Sequence, residues 1–217
     1  MPTLKLVPMP YPTARLQQWR DKNYRMLTSS GASEYLKKIL VLKAKERPGT
    51  RRFFGEAYVA TKIAHQEGYY GSFKWLTSAK FIDGGKFSNG PTRKYKEQFR
   101  DALQHHFTKL QLRRLQQSAH RLRGRKPVPP DLWLIDRRGN HRFIEVKLPG
   151  DRLGPQQLAG LAAIACCLPG KQRVSVEIIE LHAGGVSESD KRRLRKLCQR
   201  SRRAGQSKRR AGRPPAS

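Results

Sequence analysis

The second half of the chain contains the pattern that most restricts its fold: two short apolar runs separated by a tight polar turn. The segment 132–136, LWLID, is followed by the turn RRGN and then by HRFIEVKL at 141–148. Aliphatic and aromatic runs on either side of a glycine-containing turn are typical of a β-hairpin. Any sheet in this chain therefore has to include two neighbouring antiparallel strands.

The residues after the hairpin extend this sheet. Pro155 suits the first position of a helix with the sequence PQQLAGLAAIACC, because its missing N–H is not needed there. The β-branched run VSVEIIEL at 174–181 predicts a third strand. The order of hairpin, helix and strand predicts an α/β domain in which a small mixed sheet is flanked by helices.

The first half of the chain has helical periodicity. Helices are predicted over residues 13–27, 33–46, 52–68 and 94–123. Ser33 is placed as an N-cap, and Gly68 is placed to end the third helix. The segment 68–92, rich in glycine, lysine and aromatic residues, is predicted to be irregular. We therefore divide the chain into a helical N-terminal extension (1–50), an α/β domain (51–186) and a C-terminal tail (187–217).

Positive charge dominates the composition, with 46 Lys and Arg residues against 16 Asp and Glu and a formal net charge of +30. From Lys191 onward there are 12 of these basic residues and no acidic one. The tail is predicted to be disordered, because like charges repel and little apolar surface is available for burial. The tail either binds DNA phosphates or only increases the solubility of the protein. Since 34 basic residues precede Lys191, the folded part is basic too, which favours DNA as the partner.

Other classes of protein are disfavoured. No apolar stretch reaches the length of about 18 residues needed for a transmembrane helix, and the N-terminus lacks a secretory signal. Three cysteines, at positions 166, 167 and 198, form neither a disulfide framework nor zinc-ligand spacing. We expect an intracellular protein without a membrane partner, in the cytoplasm or nucleoid, or in the nucleus of a eukaryote.

The hairpin also carries charged residues suited to metal-assisted chemistry. Glu145 and Lys147 are two positions apart on a strand and therefore point to one face. Asp131 stands just before the partner strand, where it can approach Glu145 across the hairpin. Two carboxylates this close repel each other unless a cation lies between them. The alternative, without any catalytic role, is a solvated cross-strand Glu–Lys pair.

This segment resembles a known nuclease family. Pro130-Asp131, followed by Glu145-Val146-Lys147, is similar to the PD-(D/E)XK signature. The longer run IEVKLPGDRLGPQQLAGL resembles the EVKGPGDRLS-x-x-Q segment of the VRR-NUC branch, over about residues 128–165. The resemblance implies a restriction-endonuclease-like fold and a deoxyribonuclease that depends on Mg²⁺ or Mn²⁺, with a role in DNA repair.

The same resemblance implies roles for individual residues. Asp131, Glu145 and the Val146 carbonyl would be metal ligands, and Lys147 would be the catalytic lysine. Gln157 matches the glutamine of the family's helix. Leu148 departs from the family, which usually has glycine at this position, but no ligand is lost.

Glu56 is a further candidate for the catalytic metal site. Phe53, Ala60 and Ile63 place it on an apolar helical stripe, where a carboxylate is costly unless it is paired or bound to metal. The resemblance implies the same role, because VRR-NUC proteins carry a glutamate on the helix before the sheet. An ordinary glutamate on the surface of a helix is the alternative.

Basic and aromatic residues near the predicted site are candidates for DNA contacts. The predicted phosphate contacts are Arg121, Arg123, Arg125, Lys126, Arg152 and Lys74. The aromatic stretch 69–75 either stacks exposed bases or forms a small satellite core, and the sequence does not separate these alternatives.

Taken together, these features predict a metal-dependent DNA nuclease that prefers flapped, branched or frayed DNA. It would act as a monomer or a homodimer. The alternatives are a homodimeric Holliday-junction resolvase and a catalytically silent nucleic-acid-binding protein.

Overall fold

The protein is described by a computed structural model over residues 4–121, 126–169 and 173–184. These residues form an α/β fold with one five-stranded mixed sheet in the order β1-β5-β4-β3-β2. The strands are β1 (Leu4–Tyr11), β2 (Glu67–Tyr70), β3 (Leu132–Ile135), β4 (His141–Lys147) and β5 (Val174–Ala183). The helices are α1 (Thr13–Arg20), α2 (Arg25–Thr28), α3 (Glu34–Lys45), α4 (Phe54–Lys62), α5 (Lys80–Asp83), α6 (Arg93–His106), α7 (Lys109–Arg121) and α8 (Pro155–Cys167). The predicted fold class is confirmed.

The predicted hairpin is confirmed as β3 and β4. The two strands are antiparallel, with Trp133 opposite Phe143. The carboxylate of Asp136 orders the turn by accepting hydrogen bonds from the backbone N–H groups of Arg138 and Asn140, at 2.8 and 2.9 Å. The predicted third strand is also confirmed, because β5 pairs in parallel with β4. The crossover between these two parallel strands contains α8.

The helical character predicted for residues 1–50 is wrong at its beginning. Leu4–Tyr11 form β1, an edge strand that runs parallel to β5. The strand was not predicted because Pro8 and Pro10 interrupt the sequence pattern of a strand. An edge strand tolerates proline, because a nitrogen that faces away from the sheet has no ladder bond to donate. The domain boundary at residue 50 stays a prediction.

Three of the predicted helices have different bounds. The single helix predicted over 13–27 is two helices, α1 and α2. The single helix predicted over 94–123 is interrupted at Phe107, whose extended backbone ends α6. Phe107 is buried and packs against Trp133, with the ring centroids 5.6 Å apart. Burial of this ring in the core is favourable enough to break the helix, a long-range effect that periodicity does not detect.

The segment around Gly68 also differs from expectation. The third helix, α4, ends at Lys62, and Gly68 lies within β2 instead of ending the helix. A Cβ atom at Gly68 would lie 2.5 Å from the side chain of Leu36, so only glycine lets α3 pack this closely on the strand.

Aromatic rings fill the core on both faces of the sheet. On one face Trp133 and Phe143 stack with their centroids 5.7 Å apart, and Phe99 of α6 meets Trp133 at 5.9 Å. On the other face Phe54 of α4 packs edge-on against Tyr11 at 5.2 Å.

The aromatic stretch 69–75 belongs mainly to this core. Tyr70, Phe73 and Trp75 are buried, and the Trp75 indole N–H donates to the Gly71 carbonyl at 2.9 Å. Of the two alternatives left open by the sequence, the structure supports the core. Of these rings, Phe73 also lines a surface cavity.

Candidate active site

Strand β4 carries the two central charged residues of the site. Glu145 and Lys147 point to the face shared with Phe143, and they are only 1% and 8% exposed. The Lys147 ammonium donates to Glu145 Oε1 at 2.8 Å. Charged side chains this deeply buried require partners, so the structure disfavours a solvated surface pair.

Asp131 lies beside this pair at the start of the hairpin. Its Oδ2 atom accepts a hydrogen bond from the backbone N–H of Val146 at 2.8 Å, and its Oδ1 atom accepts one from the Ser72 hydroxyl at 3.3 Å. The first bond crosses from β3 to β4, and the second reaches the segment after β2. Asp131 is thereby fixed by both neighbouring segments, and the predicted approach to Glu145 is found.

Gln157 reaches the site from the first turn of α8. The residue at the third helical position often turns back to the N-terminus of its helix, and Gln157 Oε1 accepts from the backbone N–H of Gly154 at 2.9 Å. The same oxygen accepts from Lys147 Nζ at 3.0 Å, and Gln157 Nε2 donates to Glu145 Oε1. The helix cap therefore orients a side chain that touches both charged residues of β4.

Glu56 lies on α4 and lines the same cavity as Asp131 and Glu145. Phe53, in a left-handed conformation with φ of 62°, turns the chain into this helix. A Cβ atom at Gly55 would lie 2.9 Å from the Val146 side chain, so glycine allows α4 to approach β4 closely. This placement disfavours an ordinary surface glutamate. Its role as a ligand stays a prediction.

Leu148, the departure from the family pattern, fits without strain. Its backbone is not left-handed, and its side chain lies over Gly55 of α4. The glycine that the family usually has here is therefore not needed for the path of this chain. The Leu148 side chain fills space beside α4 and displaces none of the charged residues.

These residues surround a cavity of about 800 Å³ at the carboxyl end of β4. Arg51 and Arg52 line it together with the carboxylates. Arg51 donates to Asp151 Oδ1 at 2.9 Å, and Asp151 Oδ2 accepts from the backbone N–H of Leu148 at 3.1 Å. Asp151, in the turn after β4, thus joins that turn to the segment leading into α4.

The three carboxyl groups are held in an environment that disfavours their charged forms. Burial and then the nearby charge of Asp131 raise the pKa of Glu56 to about 8. Burial and Asp131 also raise the pKa of Glu145 to about 8, although Lys147 opposes this shift. Burial raises the pKa of Asp131, against the Val146 N–H that stabilises its charged form. A bound cation would relieve this repulsion.

One carboxylate oxygen of the site lacks a hydrogen-bond partner. Glu145 Oε2 is buried and has no hydrogen-bond partner, while Oε1 of the same carboxylate holds Lys147 and Gln157. Within the described ranges, no group of three or more His, Cys, Asp or Glu side chains forms a metal cluster. A hard cation such as Mg²⁺, if bound here, would have the carboxylates of Asp131 and Glu145 and would need carbonyl and water oxygens to complete its shell.

The predicted DNA contacts are only partly described. Lys74, Lys126 and Arg152 are exposed and lie outside the lining of this cavity. Arg123, Arg125, the side chain of Arg121 and the tail lie outside the described residues.

Ser72, Arg51 and Asp151 belong to the site but were not predicted from the sequence. The sequence did not indicate a role for Ser72, because β2 was not predicted and no other feature placed Ser72 near Asp131. Asp151 belongs to the PGDRL run, but its partners are 3 and 100 residues away in the chain.

A mixed sheet flanked by helices, with an acidic pair and a lysine at the end of its hairpin, is consistent with a restriction-endonuclease-like fold. Residues 85–180 match the family model of the VRR-NUC domain. The VRR-NUC domain is a nuclease domain family of the restriction-endonuclease-like superfamily, and this segment of the chain is similar to it. The segment contains Asp131, Glu145, Lys147 and Gln157 but not Glu56. No curated protein and no solved structure matches the chain significantly.

A nuclease domain implies a DNA substrate, in agreement with the strongly basic composition. Among the described residues, no helix has both the length and the apolar character required to cross a membrane.

Proposed function

We propose that this protein is a Mg²⁺- or Mn²⁺-dependent deoxyribonuclease that hydrolyses phosphodiester bonds in branched or frayed DNA. The observation that carries the proposal is the partnerless, buried Oε2 atom of Glu145 beside Asp131. Leaving a buried carboxylate oxygen unsatisfied costs stability, and a hard cation is the partner that also offsets the repulsion between the two carboxylates.

Asp131 and Glu145 would hold the cation, with the Val146 carbonyl and Glu56 as further predicted donors. The chemistry supplied by a divalent cation held by these residues would be neutralisation of phosphate charge and easier ionisation of water. Glu56 lies on a separate helix, so it can complete the site through a water molecule without entering a tight cluster.

Lys147 is positioned to act on the attacking water. Its ammonium group has three protons, and the structure uses two of them for Glu145 and Gln157. The third remains for a water molecule or a phosphate oxygen at the cavity. Because Lys147 is only 8% exposed, its charge is weakly screened and can stabilise an approaching hydroxide or phosphate.

Weak sequence preference is supported by the character of the cavity. Arg51 and Arg52 offer positive charge at its wall, which suits phosphates of any sequence. The sequence contains no element that resembles a base-reading recognition helix. We expect faster cleavage of flapped, branched or frayed DNA than of blunt duplex, with little sequence preference.

A plasmid-nicking assay tests the proposal. We expect nicking with Mg²⁺ or Mn²⁺ and none with chelator. Glu145→Ala and Lys147→Ala should each reduce the rate by roughly a hundredfold or more, because each removes a group that acts at the scissile phosphate. Binding to DNA should survive in both variants.

The matched controls are Glu97→Ala and Lys94→Ala, which remove the same charges from α6, outside the cavity. Both should nick at the wild-type rate. Nicking that persists in chelator, or an unchanged rate in Glu145→Ala, would contradict the proposal. DNA binding without any nicking would favour the catalytically silent alternative.

A further inference from the structure

A second cavity lies next to the candidate active site. It has a volume of about 440 Å³, within the range of small-ligand pockets. Its lining consists of three lysines, three phenylalanines and three serines: Lys74, Lys80, Lys96, Phe73, Phe81, Phe87, Ser72, Ser78 and Ser88. No acidic residue is among them.

The lysines converge from separate parts of the chain. Lys74 follows β2, Lys80 begins α5, and Lys96 lies on α6. Within residues 4–121, 126–169 and 173–184, none of the three forms an ion pair. Three lysines that line one cavity without a carboxylate give it a positive character, which suits an anion.

The floor of this cavity is apolar. Phe81 packs against Phe87 with the centroids 4.8 Å apart, and Phe73 lies 6.5 Å from Phe81. A purely ionic ligand gains nothing from such a floor. A nucleotide gains from both parts, because its phosphate suits the lysine rim and its base suits the apolar floor.

Ser72 joins this cavity to the active site. It lines both cavities, and its hydroxyl donates to Asp131 Oδ1 at 3.3 Å. Because the two cavities share Ser72, neighbouring nucleotides of one strand could occupy both of them. A paired base inside a duplex is stacked and cannot enter.

We propose that the second cavity binds one unpaired nucleotide of the DNA strand next to the scissile phosphodiester. The inference rests on the proposed function, since it takes the ligand to be the substrate strand. It adds a physical reason for a preference for frayed or flapped DNA: only an unpaired nucleotide can fill this cavity.

The test is equilibrium binding of the full chain in chelator, with two fluorescent probes. One probe is a blunt duplex, and the other is the same duplex with a short unpaired thymidine extension. We expect the wild type to prefer the extended probe. Lys80→Ala/Lys96→Ala should weaken binding of the extended probe about tenfold and should weaken the blunt probe much less.

A second variant separates a nucleotide site from simple charge attraction. Ser88→Trp fills the mouth of the cavity without changing charge, and it should abolish the preference for the extended probe. The matched control, Lys38→Ala/Lys94→Ala, removes two exposed lysines outside the cavity and should keep the preference.

Equal weakening of both probes by the lysine variant, or an intact preference in Ser88→Trp, would overturn the inference. These measurements need no cleavage. Failure of the wild type to nick plasmid would therefore count against the nuclease activity, whereas equal binding of the two probes by a protein that still nicks would count against the second cavity.

Discussion

Gln157 shows how a single side chain links local structure to the site. It closes the N-terminus of α8 through Gly154, and it also contacts Lys147 and Glu145. Two of its partners, Lys147 and Glu145, are charged, and their contacts with Gln157 restrict the movement of both side chains. We infer that Gln157 is a positioning residue: it fixes the Lys147 ammonium and Oε1 of Glu145, while Oε2 of the same carboxylate has no hydrogen-bond partner.

Gln157→Leu should therefore have two effects. Loss of the contact with Gly154 should lower the free energy of unfolding by about 1 kcal/mol. Loss of the contacts with Lys147 and Glu145 should lower the rate of nicking by roughly tenfold with little change in DNA affinity. Thermal unfolding and single-turnover kinetics measure these effects separately.

The neighbouring Gln156 provides the control. It is exposed, and only its backbone carbonyl is used, as the acceptor for the Val128 N–H at 3.0 Å. Gln156→Leu should leave stability and nicking close to wild type. If Gln157→Leu lowered stability alone, Gln157 would be only a helix cap.

Among the elements, β4 and β5 are joined by an ion pair whose carboxylate is buried and whose arginine is partly exposed. Arg142 of β4 donates to both carboxylate oxygens of Glu177 of β5, at 3.0 and 2.7 Å. Burial alone would raise the pKa of Glu177, but hydrogen bonds and charge from Arg142, with a further bond from Ser175, lower it below its ordinary value of 4.5. The pair holds the strand that carries Glu145 and Lys147.

This pair predicts a pH dependence of stability. Because the pKa of Glu177 is lower in the folded than in the unfolded state, its contribution is complete well above pH 4.5 and falls as acid protonates it in the folded state. Glu177→Gln should lower the free energy of unfolding at pH 7 by roughly 1–3 kcal/mol. On acidification from about pH 6 to about pH 3, the variant should lose less stability than the wild type.

Denaturant unfolding at several pH values checks this prediction. Glu97→Gln is the control, because the pair of Glu97 with Arg93 on α6 is largely open to solvent and should contribute little. If Glu177→Gln and the wild type lost stability in parallel on acidification, the ion pair would not be the source of the acid sensitivity.

The elements also differ in how well the sequence predicted them. The hairpin, α8 and β5 were predicted because turn residues, a proline at a helix start and β-branched runs act locally. Strands β1 and β2 were missed because each depends on pairing with a distant partner: β1 with β5, and β2 with β3. In Leu4–Tyr11 the two prolines argue against a strand in any prediction from local sequence. The strand forms because β1 lies at the edge of the sheet, where proline is tolerated.

At the scale of the whole molecule, charge is concentrated in the tail, whose structure lies outside the described residues. Truncation after Glu188 removes 12 basic residues. If about four of them contact phosphate, the slope of log K against log salt for duplex DNA should become shallower by roughly 3–4 units. Binding titrations at several salt concentrations measure this slope.

Nicking at saturating DNA should survive the truncation, because no residue of the candidate site lies beyond Gln157. A matched protein in which the tail lysines and arginines are replaced by glutamine should behave like the truncated one. An unchanged slope in both would mean that the tail does not contact DNA.

The sequence by itself determined the class of protein. Asp131, Glu145, Lys147 and Gln157 lie within one continuous stretch whose strand and helix propensities act over a few residues, so their presence in a hairpin followed by a helix was predictable. The strong positive net charge is a sum over the whole sequence. It therefore indicated DNA as a partner without any knowledge of the structure.

Tertiary structure alone decided which other residues meet this stretch. Glu56 enters the cavity only because Gly55 lets α4 touch Val146, and Ser72 joins two cavities only because β2 pairs with β3. The break at Phe107 and the burial of the 69–75 rings likewise follow from packing against Trp133 and its neighbours. Such contacts link residues far apart in the chain, and their energies depend on the shapes of both partners, which no local pattern records.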